Sequence, residues 1–256
     1  VIIMDGRYHH RHSVTDWQEG LLGLMYHLVE TPPLRFPLRG LYVEPSLLDA
    51  HLRELQEDGV SFTTFSQWAR ERPAGRQVVV TFDDAFLNVL QNALPVLLAR
   101  GVPAITYVVT NEIGGTNSWD AGQGQMRPLM DRAALLDWQG AGQEIGSHGL
   151  SHCHLSEISP ARARTEIVDS KKILEDLCGR EVRHFCYPYG SWNQAVRDLV
   201  AEAGYETATL AEPGINHRET DLFALFRYAG QHRRPYQTAI KTRLLDSLGW
   251  RASVAQ

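Results

Sequence analysis

The chain has 256 residues, 43% of them hydrophobic, enough for one well-buried core of the size of a single α/β barrel. Its 25 basic and 30 acidic residues leave a net charge of −5, without the basic patch or stripe of a nucleic-acid binder. The three cysteines, Cys153, Cys178 and Cys186, are far apart and odd in number, and make neither a disulfide framework nor a CxxC pair.

Residues 1–19 read as an N-terminal extension, too polar for a signal peptide, with His9, His10 and His12 in a solvated tail. The cysteine usage favours the cytoplasm for the chain as given; a periplasmic or extracellular place follows if a signal peptide has been removed. No stretch approaches the roughly 18–20 apolar residues of a transmembrane span. From residue 20 to about 240, short apolar runs alternate with amphipathic stretches, which predicts a single-domain parallel α/β fold. The first strand is predicted over 21–27, then a helix over 46–59 with Ser46 as N-cap and Gly59 as stop. A strand follows over 77–82. The helix over 88–101 contains Pro95, which is expected to kink it or mark a turn. Further strands are predicted over 103–109 and 143–148, around a long glycine-rich loop (110–130) and a helix (131–142). Next come a helix opening at Ser159-Pro160 and closing at Gly179, a strand and turn over 183–190, and a helix over 193–204. The last strands are predicted over 205–210 and 222–228, and residues 241–256 as a C-terminal helix or tail. About seven βα units of this kind predict a distorted (β/α)7–8 barrel.

In such a barrel the chemistry lies at the C-terminal strand ends. His27 ends the first strand, Asp83 and Asp84 end "VVVTFDD", and His148 ends "EIGSH" with His152 four residues on. The i, i+4 spacing of the two histidines places their imidazoles on one side of a helical turn. With one carboxylate they form a His₂Asp set that leaves a position open for water, as catalytic zinc sites require. The paired aspartates then divide their work: one neutralised as a ligand, one free to act as a general base. The competing readings are a helix N-cap plus an exposed neighbour for the aspartates, and surface loop residues for the histidines. His154 is read as a supporting or surface group. Trp119 and Trp192 flank the expected mouth as sugar-stacking faces or as packing residues.

Together these residues resemble the polysaccharide deacetylases with the NodB-homology domain, carbohydrate esterase family 4, over roughly residues 20–230. "TFDDAF" is similar to that family's TFDDG motif, with Ala85 for glycine. "SHGLSHCHL" is similar to its H-S/T-x-x-H motif, with Gly149 for Ser/Thr. "YPYG" is similar to its R-x-P-Y/F-G motif, with Cys186 in the arginine position. The resemblance implies Asp83 as base and one divalent metal, zinc before cobalt, nickel or iron, on Asp84, His148 and His152. It also implies that Pro188 and Tyr189 belong to the substrate turn, with the Tyr189 N–H as an oxyanion donor. The fourth motif has no match in "YETATLAEPGIN", and the C-terminal Leu-x-His motif is missing, because His232 lacks a strand-end context. "LLGLMYHLV" resembles the circularly permuted branch that includes poly-N-acetylglucosamine deacetylases, in which His27 is the general acid.

The activity this implies is metal-dependent hydrolysis of the N-acetyl group of a hexosamine in a glycan. The alternatives are an O-acetyl esterase, a small-molecule amidase, or a silent carbohydrate-binding barrel.

Overall fold

The computed structural model describes residues 17–32, 39–122 and 126–230. The expected extension up to residue 16, the tail over 241–256 and His232 lie outside the described residues. In chain order the elements are β1 (Gly20–Tyr26), β2 (Leu28–Val29), β3 (Tyr42–Val43), α1 (Pro45–Glu57), β4 (Ser61–Phe62), α2 (Phe65–Glu71), β5 (Arg76–Phe82), α3 (Leu94–Arg100), β6 (Ala104–Val108), α4 (Arg132–Gly140), β7 (Glu144–Ser147), α5 (Pro160–Cys178), β8 (His184–Cys186), α6 (Gln194–Glu202), β9 (Thr207–Thr209) and β10 (Arg227–Ala229).

Eight strands form one parallel sheet in the order β10-β1-β5-β6-β7-β8-β9, with β4 on the N-terminal half of β5. The segment after β9 nearly closes the barrel: Leu225 bridges Thr209, and backbone bonds join Ala208 to Leu222 and Leu225. β1 is buried along its whole length, as a parallel strand covered on both faces must be. Side-chain alternation divides the apolar residues into two cores. Leu22, Leu24, Val78 and Val80 belong to the large core. Leu21, Val79, Ile105, Tyr107, Cys186 and Leu225 form a second, separate cluster within the barrel. Phe65 and Trp68 of α2 pack into that second cluster, so α2 plugs the N-terminal floor.

Several local predictions are corrected. Helix α1 starts one residue earlier than expected: Glu44 is its N-cap and Pro45 opens it, so Ser46 is already helical. Proline suits this place because its fixed φ matches the helix and its missing N–H has no intrahelical partner there. The helix containing Pro95 begins as a π turn over Val89–Ala93 and becomes α-helical at Leu94. A ring at position 95 that donates no hydrogen bond and crowds the carbonyl four residues back accounts for the wider turn. The last strand is Arg227–Ala229, not 222–228, because residues before it make the closure with β9. The short elements β2, β3, β4 and α2 fall where no element was predicted: two-residue strands carry no periodicity, and α2 spans only two turns.

Candidate active site

The register sets the site. β1 pairs with β5 up to Tyr26 opposite Phe82, and Asp83 N–H donates to the Tyr26 carbonyl at 2.9 Å. His27 and Asp83 therefore leave the barrel side by side, with His27 Nε2 3.9 Å from Asp83 Oδ2. β6 and β7 pair up to Val108 opposite Ser147, and His148 N–H donates to the Val108 carbonyl at 2.9 Å.

Asp83 continues the inward parity of Val79 and Thr81, so its carboxylate enters the barrel lumen. There it meets Arg227, which is 1% exposed. The guanidinium forks onto Asp83, Nη1 to Oδ1 at 2.6 Å and Nη2 to Oδ2 at 2.9 Å. Its remaining donors go to Thr81 Oγ1, the Leu210 carbonyl and Cys186 Sγ. Burial alone would raise the Asp83 carboxyl. The Arg227 pair, with His27 and His148, more than reverses this and holds it below the usual carboxylate range. Burial keeps Cys186 a thiol, its pKa well above the ordinary value despite Arg227. Gly23 makes room for the arginine: a Cβ there would lie 2.7 Å from Arg227 Cγ.

Asp84 turns the other way. Its Oδ1 lies 3.3 Å from His152 Nε2 and 3.6 Å from His148 Nε2, and all three side chains are buried. No hydrogen-bond donor among the described residues reaches that oxygen. Burial raises the Asp84 carboxyl to about 6, against the pull of His27 and His148 and with a push from Asp83 and Asp120. Burial first, then His148, drives the His152 pKa well down, so its imidazole is neutral, the ligand form. A tetrahedral ion bound at 2.0–2.1 Å separates its donor atoms by about 3.4 Å. The three groups therefore fit a zinc-like cation, and such a charge would satisfy the lone carboxylate oxygen. A second cluster of Asp83, His148 and Cys186 also lies within ligand distance. It does not suit a cation, because Arg227 already occupies Asp83 and Cys186, and His148 Nδ1 is bonded to the Cys186 carbonyl at 2.7 Å.

The expected helical turn between His148 and His152 is absent. The segment is a loop in which Gly149 has φ +78° and His152 φ +55°. A left-handed backbone replaces the helical i, i+4 relation and still brings the rings to 4.9 Å. Positive φ recurs at Asp84 (+72°), Ala85 (+54°) and Tyr189 (+57°), so four of the five non-glycine residues with positive φ among those described gather at this candidate site. Ala85 thus holds a backbone shape that glycine adopts without strain, which explains why the resembled motif has glycine there.

Trp119, in the long loop, stacks on His152 at 4.3 Å. Tyr189 meets His152 edge-on at 4.4 Å and stacks on His154 at 4.2 Å, with 45% of the tyrosine exposed. Pro188 is buried and opens the Pro188–Gly190 turn. Among the described residues no carbonyl accepts the Tyr189 N–H. Trp192 instead lies against Tyr187, with ring centroids 6.2 Å apart. Reading the motifs missed Arg227. The signal was available: a single charge in the otherwise apolar run "LFALFRY", with the same parity as Leu225.

A nearly closed parallel barrel whose strand ends bury paired carboxylates beside two imidazoles presents a candidate hydrolytic site. The family model for polysaccharide deacetylase matches residues 70–208, more than half of the chain, and the chain belongs to that family. It is accordingly a hydrolase of the polysaccharide deacetylase type. His27 and Arg227 lie outside the matched span. The chain is 25% identical over 209 residues to the putative polysaccharide deacetylase YxkH of Bacillus subtilis, covering 80% of this chain and 69% of that protein. It is 22% identical over 194 residues to a poly-beta-1,6-N-acetyl-D-glucosamine N-deacetylase of Staphylococcus aureus, covering 73% and 67%. In fold it is similar to the Streptococcus pyogenes deacetylase PplD, with a TM-score of 0.74 at 22% identity over 88% of this chain and 99% of that one. It is also similar to IcaB from Ammonifex degensii, with a TM-score of 0.74 at 20% identity over 90% and 97%. Among the described residues no helix is long and apolar enough to cross a membrane.

Proposed function

We propose that this chain is a metal-dependent N-deacetylase that removes acetyl groups from hexosamine units of a glycan. One observation carries the reading: a buried Asp84 oxygen, bonded by no donor among the described residues, faces two imidazole nitrogens at 3.3 and 3.6 Å, beside a second carboxylate locked to an arginine. Asp84, His148 and His152 would hold the ion, with zinc first among zinc, cobalt, nickel and iron. The bound cation would supply polarisation of the amide carbonyl and acidification of water.

The chain's own groups do the rest. Asp83, kept ionised and oriented by Arg227, takes the proton from the attacking water. The Tyr189 N–H donates to the oxygen that gains charge as the carbonyl carbon becomes tetrahedral. His27, 18% exposed at the mouth, gives its proton to the departing amine. Its Nε2 lies 3.9 Å from Asp83 Oδ2, beyond direct hydrogen bonding, so the proton would return from that carboxyl to the imidazole through one water. Trp119 and Tyr189 offer ring faces to the sugar, and Pro188 shapes the turn beneath it. Trp192 lies tilted against Tyr187, with ring centroids 6.2 Å apart, and is assigned to packing or to a longer glycan. The likeness to the named poly-N-acetylglucosamine deacetylase supports an N-acetylated polymer as substrate.

The test pairs elemental analysis with acetate release from N-acetylglucosamine oligomers and from O-acetylated xylan. Bound metal and release from the amide substrate are expected. Asp83→Asn should retain the metal and lose at least about 100-fold in kcat, the scale of a lost general base. Metal-loaded Asp83→Asn with near-wild-type rates would remove Asp83 from the base role. Release from the ester alone would replace the amide reading.

A further inference from the structure

Four backbone groups of the loop between the two histidines are held from two sides. The carbonyls of Gly149 and Leu150 accept from the N–H groups of Thr110 and Asn111, at 3.1 and 3.0 Å. The N–H groups of Leu150 and Ser151 converge on one oxygen, Glu166 Oε2, both at 2.9 Å. Ser151 Oγ donates to the other, Glu166 Oε1, at 2.6 Å. Glu166 lies in the second turn of α5 and is 5% exposed. A buried carboxylate with three converging donors is satisfied, and charge-assisted bonds of this kind are about twice as strong as neutral ones. This carboxylate is spent entirely on the loop.

The two histidines depend on that loop unequally. His148 is tied twice, through its backbone N–H to Val108 and through Nδ1 to the Cys186 carbonyl. His152 Nδ1 is bonded by no group among the described residues. Its ring is placed by the backbone that carries it and by the rings of Trp119 and Tyr189. That backbone has φ +55°, a conformation a non-glycine residue keeps only when its surroundings impose it. Gly149 is also left-handed, at φ +78°, which glycine adopts without strain; a Cβ there would make only ordinary contact with Glu166 Oε2, at 3.5 Å.

We propose that Glu166 is a positioning residue for the metal centre, setting the His148–His152 geometry by bracing the loop between them. The inference rests on the metal-dependent reading above. Groups that orient metal ligands typically change metal affinity about 10–100-fold when substituted.

The test compares Glu166→Gln with Glu175→Gln in the full chain. Glu175 lies on the same helix and also braces a loop, accepting from Val182 N–H at 3.1 Å, but at the end away from the histidines. Zinc affinity is measured by chelator competition, and the visible spectrum of the cobalt-loaded protein reports ligand geometry. Glu166→Gln should weaken zinc binding about 10–100-fold and change the cobalt spectrum, whereas Glu175→Gln should lower the melting temperature and leave both unchanged. Equal loss in the two variants, or zinc affinity within about twofold of wild type in Glu166→Gln, overturns the brace. If Glu166→Gln does not fold, Ser151→Ala removes one of the three bonds and decides: an unchanged cobalt spectrum overturns the proposal. Failure of the wild-type protein to bind zinc or cobalt overturns the metal reading itself, and is told apart because it precedes any variant.

Discussion

The barrel buries polar side chains at both ends, and the two ends treat them differently. At the floor, both ring nitrogens of His184 are engaged: Nε2 with Ser66 Oγ at 2.8 Å and Nδ1 with Thr207 Oγ1 at 2.9 Å. Burial, reinforced by Arg183, Lys171 and Arg70, lowers its pKa to about 3, so it stays neutral. At the mouth, Asp84 presents an oxygen to two imidazoles, and Asp83 keeps its charge chiefly because Arg227 is buried with it. The backbone follows the same division. Asp84, Ala85, His152 and Tyr189 are strained at the mouth, while Arg72, the other left-handed non-glycine among the described residues, merely caps α2. Strain of about 1–3 kcal/mol per residue persists where surrounding structure holds it, and it gathers where geometry matters to chemistry. On the proposed function, the floor serves stability and the mouth serves reaction, as in barrels generally.

Substitutions at the two ends can break that contrast. The largest effect is expected at Arg227→Met, which leaves Asp83 buried without its partner. Removing one member of a buried pair costs about 3–5 kcal/mol, and deacetylation should fall with it. Denaturant unfolding that shows a loss below about 1 kcal/mol would mean that the pair is not what holds Asp83. At the floor, Ser66→Ala should cost about 1–2 kcal/mol, through the unpaired His184 nitrogen, with kcat unchanged. A fall in kcat without a fall in stability would break the division of labour.

The smallest effect is a pH dependence at Glu144. Burial raises its carboxyl to about 7 from 4.5, against the pull of the Thr64 and Ser66 hydroxyls and Arg183. Its contribution to stability is therefore fully present below about pH 4.5 and is lost as pH rises through 7. Glu144→Gln, which cannot ionise, should match wild type near pH 4 and melt about 2–4 °C higher at pH 8, on the scale of about 1 kcal/mol. The side chain is 27% exposed, so solvent screening keeps the gain small. A difference independent of pH would show that Glu144 does not titrate in this range.

Much of this was legible without coordinates. Helix ends follow rules within one turn, so Ser159-Pro160 and Gly179 bracket α5 as expected. Strand-end polarity singled out Asp83, Asp84, His148 and His27 because apolar runs stop there and the barrel puts those stops on one face. What failed to show was decided by distance in sequence. The HxxxH spacing suggested a helical turn, but His152 is held left-handed in a loop braced by Glu166 and Thr110, on elements either side of it. The position that holds arginine in the resembled motif carries Cys186, while Arg227 arrives at the same carboxylate from 144 residues along the chain. Sequence periodicity determines which residues face inward on each strand. Only closure of the sheet, with Gly23 registered against Arg227, decides which inward residues meet, because that pairing depends on strands that are neighbours in space and remote in the chain.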